Sequence, residues 1–332
     1  MLEQFEEKFG NAGKALSRLI RPTITAPEDH MFVWGDWSNI EARGLPWLAK
    51  DEERLDVFRK IDADPENEPD VYLRAAAGMY HHDPYALLEG HKTKDPEVKA
   101  LRQKGKIAEL ALGFSGGGGA LQSMAANYGM MFGTEEAADI VSRWRAANEW
   151  AEEFWNEVFD AFLSAVKNPD GTMYPAGRVN YQGITMTDGE IWVVCILPNG
   201  YPLMYRNVRE RKDVTYDEFD PTEVVSVDYK LSFESEKGIK FVWRGLLVEN
   251  ITQAACAAIL REALLYLDQP GFDFMPVVAH THDEIVTLVK IANVEAAKVR
   301  LNEVMTIDQG WHDGLPLGVD IVSHSWYSKT VE

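Results

Sequence analysis

The chain has 332 residues, of which 46% are hydrophobic and 10 are Trp, so it is long enough for one large domain or two ordinary ones with a substantial core. It carries 53 Asp and Glu against 33 Lys and Arg, and the resulting formal charge of −20 disfavours unassisted binding to nucleic acid. No stretch approaches the roughly 20 apolar residues of a membrane helix, and the N-terminus lacks the apolar centre of a signal peptide, so we expect a soluble intracellular protein.

The first part of the chain is predicted to begin with a strand that runs into a helix. Residues 31–49, "MFVWGDWSNIEARGLPWLA", are β-prone at first and take a helical pattern after Ser38, with Asp36 at the junction. Residues 51–90 have helical patterns that are interrupted at "DADPENEPD" and "HHDP". We therefore predict several short helices after the first one.

A longer helix is predicted from Asp95 to the glycine run "SGGGG" at residues 115–119. Helical patterns continue to about residue 166. A basic run, "HKTKDPEVKALRQKGK", lies at 91–106, and a second basic run, "YRNVRERK", lies at 205–212. The two runs predict local anion-binding patches, although a charge run is also typical of a solvated surface.

The second part of the chain mixes strands and helices. Residues 170–245 are turn-rich and β-prone, which predicts short strands and hairpins. Helices are predicted at 246–267 and 294–305. Between them, "PVVAHTHDEIVTLV" (276–289) has a polar cluster between two apolar runs, which predicts a β-hairpin. The whole pattern favours an α+β architecture.

Cys195 and Cys256 are the only cysteines of the chain. Two cysteines are too few for a disulfide framework, and these two lack the spacing of metal ligands. We interpret them as two buried thiols.

The adjacent carboxylates of the hairpin, Asp283 and Glu284, allow three interpretations. They could form an ordinary polar turn, in which Asp bonds to the backbone. His280 and His282 would face the same way along a strand and could begin a histidine metal site, which needs further His ligands. The other histidines show no comparable spacing beside carboxylates: His30, His81, His82, His91, His312 and His324. The third interpretation is carboxylate coordination of Mg²⁺, a hard ion that prefers oxygen ligands.

A second strand-end carboxylate, Asp36, supports the third interpretation. If the two β-segments are neighbours in one sheet, Asp36 and Asp283 can hold two metal ions roughly 3.5–4 Å apart, the geometry for in-line displacement at phosphorus. That chemistry also needs cations for a triphosphate. Arg102 and Lys106 are four residues apart and would share one helix face.

An apolar stripe, Leu110 and Phe114, continues the same predicted helix face. A face of this kind can bind phosphates at one end and stack a base at the other. Each residue alone is more typical of a surface cation or a core aromatic ring. Together with the two aspartates, they predict a nucleotide site.

These motifs together resemble the family A DNA polymerases, especially the phage-encoded branch. "DWSNIEAR" (36–43) resembles motif A, "RQKGKIAELALGFSGG" (102–117) resembles motif B on the fingers helix, and "HDE" (282–284) resembles motif C. "VENITQAACAAIL" (248–260) resembles the helix that precedes motif C. The resemblance implies the palm and fingers region: an antiparallel palm sheet with flanking helices and a mostly helical fingers subdomain.

The resemblance also implies an activity, DNA-directed transfer of a nucleotide from a dNTP to a primer 3′-hydroxyl, with two Mg²⁺ ions. The catalytic residues would be Asp36, Asp283, Glu284 and Lys106, of which the first three would bind metal and Lys106 would protonate the leaving pyrophosphate. Contacts to the dNTP would come from Arg102, Lys106, Phe114, Trp37 and Glu41, with Glu41 as the steric gate against a ribose 2′-hydroxyl. Contacts to primer and template would come from His282, Gln253, Asn250 and Arg43.

The chain departs from the family pattern at several positions. Leu110 stands where many members have Phe or Tyr, and Ala257 and Ala258 stand where relatives often have Arg and Asp. The spacing from Asn250 to Gln253 differs by one from the bacterial pattern. The segment "SGGGG" is more glycine-rich than the usual sequel of motif B, which suggests a mobile fingers tip.

The predicted subdomains are 1–60 for the first part of the palm, 61–240 for the fingers with a β-rich insertion, and 241–332 for the second part of the palm. Family members place exonuclease and thumb domains before motif A, and only 35 residues precede Asp36 here. We therefore expect a chain without an exonuclease or thumb domain.

The expected partners follow from the resemblance. They are a primer–template DNA, dNTPs and a second protein chain that supplies thumb or exonuclease functions, so that the polymerase is split or minimal. If the chain is phage-encoded, we expect it in the cytoplasm of a bacterial host cell. Two alternatives stay open: a catalytically weak nucleic-acid-binding or assembly subunit with a polymerase fold, and a histidine-based metallohydrolase.

Overall fold

The computed structural model describes residues 12–216, 222 and 224–328. The chain divides into two compact units, which we name by their sheets. The four-stranded unit contains the described residues up to Ile40, then Cys256–Asp313, then the described residues from Leu317 onward. The six-stranded unit contains Glu41–Ala255 and Gly314–Pro316. The predicted subdomain boundaries at residues 60 and 240 stay a prediction.

After the first strand, the described chain has a run of helices, then a run of strands, and then a mixture of both, as the sequence predicts. The described elements are α1 (Ala12–Ile20), β1 (His30–Trp37), α2 (Ile40–Ala49), α3 (Glu52–Ala63), α4 (Val71–Tyr80), α5 (Pro84–Lys92), α6 (Pro96–Leu112), α7 (Gly118–Asn127), α8 (Thr134–Ala147), α9 (Glu149–Lys167), β2 (Asp170–Ala176), β3 (Val179–Thr185), β4 (Ile191–Ile196), β5 (Pro202–Tyr216), β6 (Val224–Ser235), β7 (Gly238–Phe241), α10 (Arg244–Leu267), β8 (Val277–Thr281), β9 (Glu284–Lys290), α11 (Val294–Thr306) and β10 (Val319–His324). The α+β architecture is confirmed.

Four consecutive helices begin directly after an aspartate. Asp51, Asp70, Asp83 and Asp95 precede α3, α4, α5 and α6, and each carboxylate accepts a hydrogen bond from a backbone N–H of the first turn. An aspartate at this position satisfies donors that have no partner inside the helix. The polar breaks in the sequence therefore set where these helices start.

The sequence prediction failed at the start of one helix and for one strand. Gly118, inside the predicted glycine breaker, is the first residue of α7. The strand β10 was not predicted, although it pairs with β1 along most of its length. Both errors involve segments whose conformation depends on neighbouring elements as well as on local sequence preference.

The four-stranded sheet has the antiparallel order β10-β1-β9-β8. On one face, α11 packs so closely on β1 that a β-carbon at Gly35 would overlap the Met305 sulfur. The Trp37 indole Nε1 donates to the Met305 carbonyl at 2.7 Å on the same side. The opposite face carries an apolar cluster around Trp34 and Tyr327, whose rings meet edge to face at 5.7 Å. The central strand β1 is therefore held from both faces.

The six-stranded sheet is an antiparallel meander from β2 to β7. Its core side packs against α9, where the ring of Phe162 contacts Tyr181 and Tyr205 at centroid distances of 5.9 and 5.3 Å. Cys195 is buried in this region and Cys256 is partly buried, so the prediction of two buried thiols is confirmed for Cys195. Burial raises the pKa of the Cys195 thiol to about 12.

Candidate functional site

Asp36 lies one residue before the end of β1 and stands in register with two other acids. Its partner on β9 is Glu284, and its partner on β10 is Asp320. Directly opposite residues of antiparallel strands project to the same face of a sheet. The three side chains therefore leave the same face, and the pairing of β1 with β9 confirms that the two predicted β-segments are neighbours in one sheet.

Asp283 lies in the tight turn of the β8–β9 hairpin. Its backbone carbonyl accepts a hydrogen bond from the backbone N–H of Trp37 at 3.0 Å, which places it beside the end of β1. The side chains of Asp36 and Asp283 are both partly exposed. Two carboxylates at the ends of adjacent strands fit Mg²⁺, which is usually bound by one or two carboxylates and keeps several waters or phosphate oxygens.

Glu284 has different surroundings from the two aspartates, because its side chain is only 2% exposed. The Tyr327 hydroxyl donates to its Oε1. The Arg21 guanidinium lies 3.9 Å from its Oε2 and 4.9 Å from the centre of the Tyr327 ring. A buried carboxylate is costly unless it is paired and hydrogen-bonded, and these two groups supply both interactions.

The pKa of Tyr327 is raised to about 12, mainly because of burial and then because its hydroxyl bonds to Glu284. Tyr327 therefore stays a neutral donor at ordinary pH. Glu284 is held by groups of the protein, and its predicted role as a metal ligand stays a prediction.

Three residues around the carboxylates were not predicted from the sequence: Arg21, Tyr327 and Asp320. The Ser38 hydroxyl donates to the Asp320 carboxylate at 2.8 Å. The alternation in "VDIVSH" is a strand signal that could have indicated Asp320. Arg21 and Tyr327 lie far from Glu284 in sequence, and no local pattern connects them.

The histidines of the hairpin are both exposed. His280 therefore lies at the surface and does not pack in the core. His282 occupies the turn with a φ of 52°. Within the described ranges there is no group of three or more His, Cys, Asp or Glu that could hold a metal ion, so the histidine metal site gains no support.

Two of the three other motif A residues with predicted contacts, Trp37 and Arg43, are buried, each with only 2% of its surface exposed. The guanidinium of Arg43 makes two hydrogen bonds to the Asp62 carboxylate, at 2.6 and 2.7 Å, and lies 4.7 Å from the Phe58 ring centre. Both side chains support the fold around the motif. A direct contact of Trp37 with dNTP, or of Arg43 with primer or template, would require the side chain to leave this packing. Glu41, in contrast, is exposed in the first turn of α2.

The predicted cations of α6 lie beside the ring of Tyr72 on α4. The Arg102 guanidinium is 5.3 Å and the Lys106 ammonium 5.6 Å from the centre of this ring. Lys106 also lies 5.2 Å from the ring of Tyr128. Both cations are thus brought together by aromatic faces, which attract positive charge. Burial raises the pKa of the Tyr72 hydroxyl to about 12.

Gly105 allows α4 and α6 to approach at this point. A β-carbon on Gly105 would overlap the backbone carbonyl oxygen of Tyr72. The signal in the sequence is a glycine in a helix interior, where glycine is otherwise unfavourable. Lys104, which directly precedes Gly105, donates a hydrogen bond to the Glu136 carboxylate at 2.9 Å, and this bond raises the pKa of Lys104.

Glu109 anchors α6, and the sequence analysis did not predict this role. Its Oε2 lies 2.6 Å from the Arg54 guanidinium, and its Oε1 accepts from the Trp144 indole at 3.0 Å. Both partners are far away in sequence. This pair of bonds fixes the rotation of α6 within the six-stranded unit.

The predicted extension of the helix face to Phe114 is wrong, because α6 ends at Leu112. Phe114 follows the helix and is partly buried, and Leu110 is 43% exposed. The Trp155 indole donates to the Gly113 carbonyl at 3.0 Å, just after the helix end. A role of Phe114 in stacking against a base stays a prediction.

The predicted primer and template residues of α10 differ in exposure. Gln253 is exposed, and its amide lies 3.4 Å from the Glu249 carboxylate. Asn250 is partly buried, and its amide donates to the Tyr205 hydroxyl at 3.2 Å. Asn250 is thereby tied to the six-stranded sheet.

The second basic run lies on β5. Arg211 of this run lies 3.0 Å from the Glu234 carboxylate, and the guanidinium of Arg206 is 5.2 Å from the Trp192 ring. These interactions are local to the sheet, and an anion-binding role of the run stays a prediction. Among the helices that the structure describes, none has the length and apolar character needed to cross a membrane.

No family model matches the chain, whereas comparisons with curated proteins and with solved structures both give matches. A DNA polymerase of Bacillus phage SP02 is 34% identical over 329 residues, which cover 98% of this chain and 46% of that protein. The POL domain of Pol1 from M. smegmatis, in a complex with DNA primer-template and dNTP, has a TM-score of 0.56 and 14% identity over 96% of this chain and 44% of that one. The chain spans about half the length of the curated relative, and the structural likeness shows the fold. The resemblance to the DNA polymerases is confirmed.

Proposed function

We propose that this relative of a phage DNA polymerase is itself the catalytic core of a DNA-directed DNA polymerase, which transfers nucleotides from dNTPs to a primer 3′-hydroxyl on a template. The observation that carries the proposal is the backbone hydrogen bond of 3.0 Å between Trp37 and Asp283. It puts the two aspartates of separate sequence motifs at the ends of neighbouring strands.

Asp36 and Asp283 are the residues that would hold metal ions. Two Mg²⁺ ions at such carboxylates would activate the attacking hydroxyl and neutralise charge on the reacting phosphate. The protein's own contribution is to fix both carboxylates through the sheet, so that little reorganisation is needed during the reaction. Glu284 supports this arrangement from its buried position beside Arg21 and Tyr327.

The cations of the six-stranded unit would bind the triphosphate. Arg102 presents a planar fork that suits phosphate oxygens, and Lys106 adds a compact positive charge that can give a proton to the leaving pyrophosphate. Phe114 would contact the base. The exposed Glu41 would exclude a ribose 2′-hydroxyl.

Primer and template contacts complete the proposal. His282 and Gln253 are exposed and can contact nucleic acid directly. Asn250 and Arg43 would act from more buried positions, because each already bonds to a neighbouring side chain. Trp37 supports motif A by holding β1 against α11.

The proposal includes a second protein chain that supplies thumb or exonuclease functions. The formal charge of −20 is unfavourable for gripping a DNA duplex, since the backbone of DNA is bound mainly through Lys and Arg. Processive primer extension by the purified chain alone at physiological salt would contradict this part.

The activity is tested by primer extension with Mg²⁺ and dNTPs, using wild type, Asp36→Ala and Asp283→Ala. We expect each variant to lose at least about 10³-fold in incorporation, because several kcal/mol of transition-state charge stabilisation depends on the metal site. Asp268→Asn, an exposed acid of the same unit, serves as the control and should stay active.

Retained incorporation in either alanine variant, with an unchanged melting temperature, would contradict the mechanism. A wild-type chain that binds primer–template but incorporates nothing, alone or with proteins of its native lysate, would favour the assembly-subunit alternative.

A further inference from the structure

Asp70 bonds both to the first turn of α4 and to Arg102 on α6. It is the N-cap residue of α4, and its Oδ1 accepts from the backbone N–H groups of Tyr72 at 3.0 Å and Leu73 at 2.8 Å. Its Oδ2 accepts from Arg102 Nε at 2.7 Å and lies 2.6 Å from Arg102 Nη2. One oxygen of this carboxylate thus caps the helix, and the other binds Arg102.

The backbone of α4 holds the Asp70 carboxylate independently of the arginine. Two hydrogen bonds from the first turn of α4 hold Oδ1, so the direction of Oδ2 is set by the helix. Arg102 then binds through one edge of its guanidinium, the Nε and Nη2 edge. The Nη1 group lies outside this ion pair and can meet a second anion.

The charge of Asp70 is already partly offset by α4. The N-terminus of a helix carries partial positive charge, which attracts a carboxylate at the cap. The ion pair is also about one-third exposed, with side-chain exposures of 29% for Arg102 and 33% for Asp70. Arg102 is therefore oriented by Asp70 while it keeps much of its attraction for phosphate.

We infer that Asp70 is a positioning residue for the triphosphate: it orients Arg102 so that the free edge of the guanidinium meets the phosphates of the incoming nucleotide. This inference rests on the proposed function, because it takes Arg102 as a triphosphate ligand. Pre-orientation lowers the entropy that a long side chain loses on binding, so its effect is on affinity and much less on the chemical step.

The test compares variants that separate the cap from the ion pair. Asp70→Asn and Asp70→Ser keep a capping oxygen and lose the carboxylate that holds Arg102. The matched control is Asp83→Asn, at the N-cap of α5, where the carboxylate accepts from the Tyr85 N–H. Binding of inorganic tripolyphosphate is measured by calorimetry, and the dNTP KM and kcat are measured by primer extension.

We expect both Asp70 variants to bind tripolyphosphate about five- to tenfold more weakly and to raise the dNTP KM by the same factor, as for the loss of one pre-oriented side chain. The kcat should change less than about twofold, and Asp83→Asn should match wild type. Arg102→Ala should weaken binding further, and Asp70→Asn should add nothing in the Arg102→Ala background, since the two residues act as one unit.

Affinity in both Asp70 variants that equals or exceeds the wild-type value would overturn the inference and leave the proposed function standing. An equal loss in Asp83→Asn would also overturn it, because the effect would then come from helix capping in general. A wild-type chain that neither binds tripolyphosphate nor extends primers would overturn both the inference and the proposed function.

Discussion

The carboxylates of the four-stranded unit and the cations of the six-stranded unit are held by different parts of the polypeptide. Asp36 and Asp283 are placed by strand register and by a backbone hydrogen bond. Arg102 and Lys106 are placed by side-chain contacts, with Tyr72 beside both of them and Asp70 bonded to Arg102. The first group is placed by backbone pairing between strands, whereas the second depends on the close approach of two helices.

This difference matters for what a mutation changes. Removal of a carboxylate leaves the backbone pairing of β1 and β9 in place, so it removes a functional group without moving the strands. A larger side chain between α4 and α6 moves the two helices themselves, because closely packed helices accommodate added volume only by shifting. The comparison predicts the three outcomes below, which run from the largest effect to the smallest.

Gly105→Ala should have the largest effect on stability and should also impair triphosphate binding. Its β-carbon would overlap the Tyr72 carbonyl oxygen, so α4 and α6 must separate. We expect a loss of about 1–3 kcal/mol in the free energy of unfolding, the usual range for overpacking, together with a higher dNTP KM. Urea denaturation and primer-extension kinetics measure the two effects.

The control is Gly119→Ala in the first turn of α7, where an added β-carbon meets nothing within 4 Å. Alanine is the better helix former, so this variant should be as stable as wild type or slightly more stable. If both alanine variants behave alike, the close contact between α4 and α6 does not position the cations.

Tyr327→Phe should destabilise the four-stranded unit without a shift of the strand register. The variant removes the hydroxyl that donates to the buried Glu284 and keeps the ring against Trp34. We expect a loss of about 1–2 kcal/mol, as for a buried acceptor left without a donor. Tyr229→Phe, at a residue that is 70% exposed, is the control and should be neutral. A neutral Tyr327→Phe would show that Arg21 alone compensates Glu284.

Alkaline pH should weaken the fold by the smallest amount. Burial raises the pKa of Tyr181 well above its ordinary value, and the pKa of Tyr327 is raised to about 12. An unfolded tyrosine loses its proton near pH 10, so the folded state binds more protons above that pH. The stabilisation is complete below about pH 10 and decreases as the pH rises toward the folded pKa values.

The pH effect is measured by denaturation at several pH values from neutral to about 11. Tyr181→Phe should flatten the decrease, because it removes one of the titrating groups of the six-stranded unit. A pH dependence in this variant identical to that of wild type would mean that Tyr181 does not contribute.

Local sequence was sufficient for most of the elements, with β10 an exception, and for the identity of the main charged groups. The strand that runs into a helix at Asp36, the β-hairpin at Asp283, and the helices that start after aspartates all depend on nearby residues, since capping, turn and periodicity signals act over a few positions. The cations Arg102 and Lys106 could be predicted for the same reason, because they are four residues apart on one helix.

What surrounds these groups was decided only by the tertiary structure. Arg21 reaches Glu284 from the start of the chain and Tyr327 reaches it from 43 residues away. Asp320 enters the sheet on an unpredicted strand, and Asp70 meets Arg102 because a glycine lets two helices touch. These contacts depend on which elements pack together, and that choice is made by the burial of whole faces. The sequence by itself therefore determined which residues carry charge and on which elements, whereas packing determined which of those charges are buried, paired or oriented.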